Sequence, residues 1–154
     1  MKKNTLYKNI ALKKYNSWKV GGTAEKLYIC ADKELLSEGI NHKRITPPFT
    51  FIGLGSNLLI RDGGVKGTVI IMHGGLSKIN LEKDIFYAEA GVSCSKLSKF
   101  IARNSFIHSA FLAGIPGTIG GALAMNAGCY GSETWDFVEN VLVINDKGEQ
   151  FKRT

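Results

Sequence analysis

The sequence has few cysteines and no pattern that would hold a metal ion. Its three cysteines, Cys30, Cys94 and Cys129, lie far apart, and no Cys-x-x-Cys pair or mixed His/Cys cluster occurs among the 154 residues. This argues against a disulfide framework and against structural zinc. Reduced thiols are typical of the cytosol. We therefore expect a cytoplasmic protein with no metal site.

Long apolar runs are also lacking. Residues 1–10 carry the positive charge of a signal peptide but not its apolar core of about 7–15 residues. The longest uncharged stretch is interrupted by Pro116, Asn126 and several glycines, whereas a membrane span needs about 20 consecutive apolar residues. We expect no membrane-spanning segment and no membrane partner.

Acidic residues are the minority charge. There are 20 Lys and Arg residues against 13 Asp and Glu, which gives a net charge of +7 and favours acidic ligands such as phosphates. The lysines are scattered and no arginine-rich tract is present, so nucleic acid is not an expected partner. A hydrophobic content of 44% is that of an ordinary globular protein, forming one domain or two small subdomains.

Apolar periodicity predicts an α+β fold with many short strands and two or three helices. Asp32 and Ser93 are expected to cap two of these helices. Residues 1–15 are expected to form a lysine-rich N-terminal surface segment. The strands are predicted at residues 24–31, 49–54, 58–60, 68–72, 85–90, 137–144 and 149–152, and a small-residue helix at 120–127.

A glycine turn follows the predicted strand at residues 49–54. It reads Gly53-Leu54-Gly55-Ser56-Asn57-Leu58 and lacks the third glycine of a Rossmann fingerprint. Successive amides in such a turn can form an anion-binding nest, and the side chains of Ser56 and Asn57 can add hydrogen bonds. A tight hairpin is the alternative interpretation.

A second glycine-rich stretch runs from Ala113 to Gly131. It holds 6 of the 18 glycines, and no Asp, Glu, Lys or Arg lies between Asn104 and Ser132. Glycine at this density lets backbone approach backbone or ligand closely. Two interpretations remain, a packed buried connection or a wall of amides around a flat anionic cofactor, and we prefer the second. His108 is the histidine within this region, and we interpret it as structural because no nucleophile or acid pairs with it in sequence.

A third motif, Asn16-Ser-Trp-Lys-Val-Gly-Gly22, is either a plain turn or a ligand-facing turn. Together with Gly53-Leu-Gly-Ser-Asn-Leu-Leu-Ile-Arg-Asp-Gly-Gly64 and the stretch 113–131, it resembles the N-terminal, FAD-binding part of the UDP-N-acetylenolpyruvoylglucosamine reductases, also called UDP-N-acetylmuramate dehydrogenases. The likeness extends from about residue 14 to residue 154, which is about half of the family's length.

The resemblance implies an FAD-binding fold of the p-cresol methylhydroxylase type, in which two subdomains (about 16–66 and 67–154) clamp noncovalent FAD. It also implies NADPH as hydride donor, a UDP-sugar substrate and a role in peptidoglycan precursor synthesis. Tyr130 matches a position that faces the substrate in relatives. The residues that match the family's cofactor-binding positions are Gly53, Leu54, Gly55, Ser56, Asn57, Leu58, Gly114, Ile115, Pro116, Gly117, Thr118, Gly120, Gly121, Asn126 and Gly128.

This chain departs from the family in two respects. His108-Ser109-Ala110 stands where the family usually has Gly-Leu-Glu. The family's catalytic arginine, serine and glutamate match no residue of this chain, because they belong to positions beyond residue 154 and to a C-terminal substrate domain. We therefore expect no catalytic residue here and no complete reaction by these 154 residues alone. A non-catalytic FAD- or partner-binding module and another flavin oxidoreductase of the same fold are the alternatives.

Overall fold

The computed structural model describes residues 3–106 and 109–154, so His108 lies outside the described residues. The strands are β1 (Leu6–Ala11), β2 (Thr23–Ile29), β3 (Phe49–Ile52), β4 (Val65–Ile71), β5 (Ile79–Glu82), β6 (Ile85–Ala88), β7 (Gly128–Cys129), β8 (Ser132–Glu133), β9 (Val141–Ile144) and β10 (Gln150–Arg153). The α-helices are α1 (Lys33–Asn41), α2 (Cys94–Arg103), α3 (Ala110–Ala113) and α4 (Ile119–Met125). This mixture confirms the predicted α+β class.

The largest sheet has the strand order β1-β2-β4-β3. β1 pairs with β2 in antiparallel orientation, while β4 is parallel to both β2 and β3. Strands that are buried on both faces become continuously apolar, and β4 carries buried residues from Gly67 through Ile71. The remaining strands form three antiparallel pairs, β5–β6, β7–β8 and β9–β10.

Each face of this sheet is covered by its own hydrophobic cluster. Leu27 and Val69 belong to the cluster on one face, whereas Tyr28 and Ile70 contribute to the other, together with Leu36 of α1. This alternation follows from the two-residue period of strands. Helix α1 begins where Asp32 accepts a hydrogen bond from the Leu35 amide at 2.9 Å, as predicted.

A third cluster lies among the helices that follow β6. Its buried members come from α2, α3 and α4 and from the loop before α2, and include Val92, Leu97, Phe111, Leu112 and Ile119. Ser93 caps α2 by accepting a hydrogen bond from the Lys96 amide at 3.3 Å, which confirms that prediction. The stretch 113–131 is therefore folded against a core of its own.

Two sequence-based predictions are wrong in detail. Residues 1–15 are not only a surface segment, because Leu6–Ala11 form β1. The two-residue alternation of a strand is broken here. Asn9 has a φ of 53°, and Tyr7 and Ile10, which are three positions apart, both pack on the first cluster. Residues 58–60 join no sheet; their alternation reflects burial of Ile60 against the first cluster, while Leu59 is exposed.

The expected boundary between two subdomains, near residues 66 and 67, falls inside β4. A first subdomain that contains the whole sheet would therefore extend at least to Ile71. The division into subdomains stays a prediction. Within the described residues, none of the helices has the length and apolar character required to cross a membrane.

Candidate functional site

The first glycine turn follows the carboxyl end of β3, which is parallel to β4. Ligands of open α/β sheets commonly bind outside the carboxyl ends of such strands. Within the described residues, the amide N–H groups of residues 54–58 donate no backbone hydrogen bond, and the side chains of Ser56 and Asn57 have no hydrogen-bond partner. Since residues 58–60 form no strand that could pair with β3, the hairpin alternative is wrong. The turn presents free donors at the end of a buried sheet.

Gly55 shapes this turn through backbone packing. Its φ is +69°, and a Cβ there would meet the Tyr15 carbonyl oxygen and lie 2.7 Å from the Asn16 Cα. The Ser17 amide donates to the Gly55 carbonyl at 3.1 Å. Gly55 is therefore required for close contact with the 15–17 segment.

Asn16 holds that segment in place. Its Nδ2 donates to the carbonyls of Leu12 and Val20, at 3.0 and 2.9 Å, and only 6% of the residue is exposed. Asn16 is not among the predicted cofactor-binding residues, although it opens the motif 16–22. The double glycine of that motif packs against backbone near Ile60 and Asp62, so the motif serves as a structural support for the turn.

The second glycine stretch meets the first at two points. A Cβ at Gly53 would collide with the side chain of Thr118. A Cβ at Gly117 would lie 3.9 Å from the Ser56 Oγ and 3.7 Å from the Ile115 Cγ2, both ordinary contacts. A larger residue such as alanine would therefore cause no steric clash within the protein at position 117. An empty space the size of a methyl group lies where the two turns face each other.

The amides of the second stretch are mostly used inside the protein. Those of Ile119 and Gly120 donate to the carbonyls of Val92 and Ala90, at 2.8 and 2.9 Å, and Gly117 donates to Ile115 at 2.9 Å. The Gly121 amide reaches the Thr118 Oγ1 at 3.4 Å, which caps α4. These amides therefore fix α4 against the loop after β6. The expected contact of residues 114–121 with the cofactor stays a prediction.

Asn126 ends helix α4 and uses both polar atoms of its side chain locally. It has a φ of 44°, its Oδ1 accepts from the Trp135 amide at 3.1 Å, and its Nδ2 donates to Glu133 at 2.6 Å. We therefore interpret Asn126 as a residue that positions the following hairpin. Its expected role in contacting the cofactor stays a prediction.

Tyr130 and Gly131 form the two-residue turn between β7 and β8, with φ values of 54° and 81°. Positive φ at both positions is the geometry of a type I′ turn. The Tyr130 side chain is 81% exposed, and its ring edge approaches Gly114, where a Cβ would lie 3.0 Å from Cε2. Gly114 therefore lies against the Tyr130 ring, and the substrate-facing role of Tyr130 stays a prediction.

The site carries little negative charge of its own. Burial raises the pKa of the Cys94 thiol to about 11, so the thiol next to the Gly117 carbonyl is neutral near pH 7. Leu112 and Gly114 likewise belong to the uncharged stretch between Asn104 and Ser132. Within residues 3–106 and 109–154, no group of His, Cys, Asp and Glu could hold a metal ion.

The free amides of residues 54–58 and the space beside Gly117 suit a cofactor that carries phosphate. Preorganised amides can stabilise a diphosphate without a buried lysine. A parallel pair of strands that leads into a turn of unpaired amides is an arrangement typical of nucleotide-cofactor-binding domains. The chain belongs to the FAD binding domain family, whose sequence profile matches residues 41–153. FAD is therefore the cofactor expected of this domain, and its contact with these two turns stays a prediction.

Named relatives agree with this family. The chain is 48% identical over 141 residues to UDP-N-acetylenolpyruvoylglucosamine reductase of Nitrosospira multiformis, covering 89% of this chain and 41% of the relative. It is 45% identical over 163 residues to the reductase of the same name from Coxiella burnetii, covering 93% and 52%. These matches confirm the resemblance that the three motifs indicated.

A solved structure shows the same fold. The crystal structure of UDP-N-acetylenolpyruvylglucosamine reductase (MurB) from Thermus caldophilus matches with a TM-score of 0.75 and 32% identity, covering 97% of this chain and 51% of that one. The predicted α+β FAD-binding fold is therefore confirmed. The chain spans about half the length of the relatives it matches.

Proposed function

We propose that this chain is the FAD-binding part of an NADPH-dependent UDP-N-acetylenolpyruvoylglucosamine reductase, which reduces the enolpyruvyl group of a UDP-sugar to give UDP-N-acetylmuramate for peptidoglycan synthesis. The observation that carries the proposal is the row of unpaired amides at residues 54–58, in a chain 43–48% identical to reductases of that name. The three free thiols support a reducing compartment such as the cytoplasm.

The residues of this chain would bind and orient the cofactor. The amides of 54–58 and the side chains of Ser56 and Asn57 would hold its diphosphate, and Gly117 would leave room for it. When bound, FAD supplies the hydride-transfer chemistry between the nicotinamide and the enolpyruvyl double bond. The Gly53–Thr118 contact would keep the two turns at a fixed separation.

Cofactor binding is the first test. Protein purified without added flavin and then titrated with FAD should quench flavin fluorescence with saturable, one-to-one binding. Acid precipitation should release the flavin, because the proposal is noncovalent binding. Protein that never takes up FAD would contradict the proposal, whereas flavin retained after denaturation would contradict only the noncovalent part.

The second test concerns the reaction. Reduction of the double bond needs a positioned proton donor, which is typically worth about 10²–10⁴-fold in rate. Within the described residues, the exposed Tyr130 and the hydroxyl of Ser56 have no charged or hydrogen-bonded partner that would tune either as an acid. We predict that the 154-residue chain, loaded with FAD, forms no UDP-N-acetylmuramate from NADPH and the enolpyruvyl substrate.

Mass spectrometry of the product would check this. A fusion of this chain to the remaining half of a relative such as the Coxiella burnetii reductase should produce UDP-N-acetylmuramate. Product from the 154 residues alone, well above a no-protein control, would refute the prediction that these residues do not complete the reaction. An FAD-loaded fusion without activity would refute the proposed reaction.

A further inference from the structure

Strands β9 and β10 form a hairpin whose tip, residues 145–149, is held in shape by its own hydrogen bonds. The Oδ1 of Asn145 accepts from the amides of Lys147 and Glu149, both at 2.9 Å, and its Nδ2 donates to the Glu149 carboxylate at 2.7 Å. The Gly148 amide donates to the Asn145 carbonyl at 3.1 Å. Asparagine commonly stabilises turns in this way. The hairpin tip can therefore dock on another element as a preformed unit.

The hairpin tip packs on helix α1, which belongs to the first half of the chain. The Ser37 hydroxyl donates a hydrogen bond to the Gly148 carbonyl. Gly148 has a φ of +85°, and a Cβ there would lie 2.5 Å from the Ser37 carbonyl oxygen and 3.1 Å from the Asn41 amide nitrogen. Ile144, just before the tip, packs on the cluster that contains Leu36. Glycine at position 148 is therefore required for this close contact with α1.

The other end of the same segment is fixed to the third cluster. The rings of Phe137 and Phe111 are stacked, with a centroid distance of 5.1 Å and an interplanar angle of 23°. Phe111 is buried together with Ile119 of α4, and the glycine-rich stretch 113–131 is folded on that cluster. Residues 137–149 thus link the core that carries the second glycine stretch to the sheet that carries the first glycine turn.

This link contacts the sheet layer far from the point where the two glycine turns meet. The turns meet at the Gly53–Thr118 contact, just beyond the carboxyl end of β3. Helix α1 begins near the same edge, because β2 and β3 are both parallel to β4, and it returns the chain toward the start of β3. At a rise of about 1.5 Å per residue, Asn41 lies about 12 Å along the helix from Lys33. Two contacts this far apart resist rocking of one core against the other.

The contact between the hairpin tip and α1 is narrow. A cleft of about 570 Å³ lies beside it, and its lining includes residues from both sides, among them Lys43, Thr46, Asp146 and Glu149. The tip is therefore held by a few atoms rather than by a continuous packed interface. A single substitution can release it without removing a side chain from any of the three hydrophobic clusters.

We propose that Gly148 and Ser37 are positioning residues for cofactor binding, because docking of the hairpin tip on α1 holds the two glycine turns at the separation that FAD requires. The inference rests on the proposed function, since it concerns the same cofactor site. When the tip is released, the two cores can rock about the Gly53–Thr118 contact, and the turns spend less time at the productive separation. The apparent affinity for FAD falls by the fraction of molecules that leave that arrangement.

The test compares FAD binding by Gly148→Ala and Gly74→Ala in fluorescence titrations. Both glycines have a positive φ, +85° and +75°, so both substitutions strain the backbone, but a Cβ at Gly74 meets nothing within 4 Å. FAD affinity should fall at least about fivefold in Gly148→Ala, the lower end of typical coupling between separate sites, and less than about twofold in Gly74→Ala. Ser37→Ala removes the hydroxyl while alanine favours the helix. It should also weaken FAD binding, and it provides the comparison if Gly148→Ala does not fold.

A second measurement separates positioning from a purely structural role. Coupling between sites is reciprocal, so FAD should hold the hairpin tip on α1. Hydrogen exchange of peptides that cover residues 33–41 and 145–149 should slow when FAD is added to the wild-type protein. A contact that serves stability alone would leave this exchange unchanged.

Three results would overturn the proposal. Two of them are equal FAD affinity in Gly148→Ala and Gly74→Ala, and exchange at the hairpin tip that FAD does not slow; if the wild-type protein binds FAD, either result refutes the positioning role alone. The third is wild-type protein that binds no FAD, which would refute the proposed function as well.

Discussion

Gly55 and Gly117 lie in the two facing turns, and the structure predicts opposite consequences for the same substitution at each. In Gly55→Ala the new methyl group would enter the backbone of Tyr15 and Asn16, 2.7 Å from the Asn16 Cα, at a φ of +69°. A non-glycine residue in that conformation costs about 1–3 kcal/mol, before the displacement of Asn16 is added. We expect the FAD-free protein to lose about 2–4 kcal/mol of unfolding free energy.

In Gly117→Ala the methyl group would make ordinary contacts, 3.7 Å from the Ile115 Cγ2 and 3.9 Å from the Ser56 Oγ. The FAD-free protein should therefore be as stable as wild type, or about 0.4–1 kcal/mol more stable, because alanine restricts the unfolded chain. If the cofactor diphosphate occupies that space, the methyl group overpacks the site at a cost of about 1–3 kcal/mol. This corresponds to a loss of FAD affinity of about 5- to 150-fold.

The assay combines thermal unfolding of the FAD-free proteins with fluorescence titration of FAD. One kcal/mol corresponds to about 2–4 °C in Tm for a protein of this size, so the Gly55 variant should unfold at least about 4 °C lower. Gly63→Ala is a control, because a Cβ at Gly63 meets nothing within 4 Å. Unchanged FAD affinity in Gly117→Ala would refute the proposal that the cofactor diphosphate lies beside Gly117. Unchanged stability in Gly55→Ala would refute the inference that close packing on Asn16 requires glycine at position 55.

Two further predictions follow from individual side chains. Asn126→Gly should lower unfolding free energy by about 1–2 kcal/mol through the loss of two side-chain hydrogen bonds, and Asn126→Ala should cost more because alanine disfavours the φ of 44°; equal Tm values for all three proteins would contradict this. Burial raises the pKa of the Cys30 and Cys94 thiols to about 11, above the usual value of 9.0, so the folded state holds these protons more tightly than the unfolded state. The contribution of these thiols to stability should be constant below about pH 9 and fall by roughly 1–3 kcal/mol per thiol as pH rises from 9 to 11. Denaturant titrations would detect this loss, and Cys30→Ala should reduce it.

The sequence by itself determined the class of fold and the family, and it located the first glycine turn. Strand periodicity predicted β2, β3 and β4, and the side-chain chemistry of Asp32 and Ser93 predicted the starts of α1 and α2. These features depend on neighbours along the chain. The same holds for the turn at residues 53–58, since three glycine motifs in a fixed order carried enough information to indicate the FAD-binding family.

Tertiary structure alone decided what each glycine does. Gly55 and Gly117 are alike in sequence context, but one contacts Asn16, about 40 residues earlier in the chain, and the other faces an open space beside Ser56. Likewise, the amides of Ile119 and Gly120 are occupied because Ala90 and Val92 lie against them. The support that Asn16 gives the turn was equally invisible in sequence, because its hydrogen bonds to Leu12 and Val20 and its packing on Gly55 arise only when the chain closes on itself.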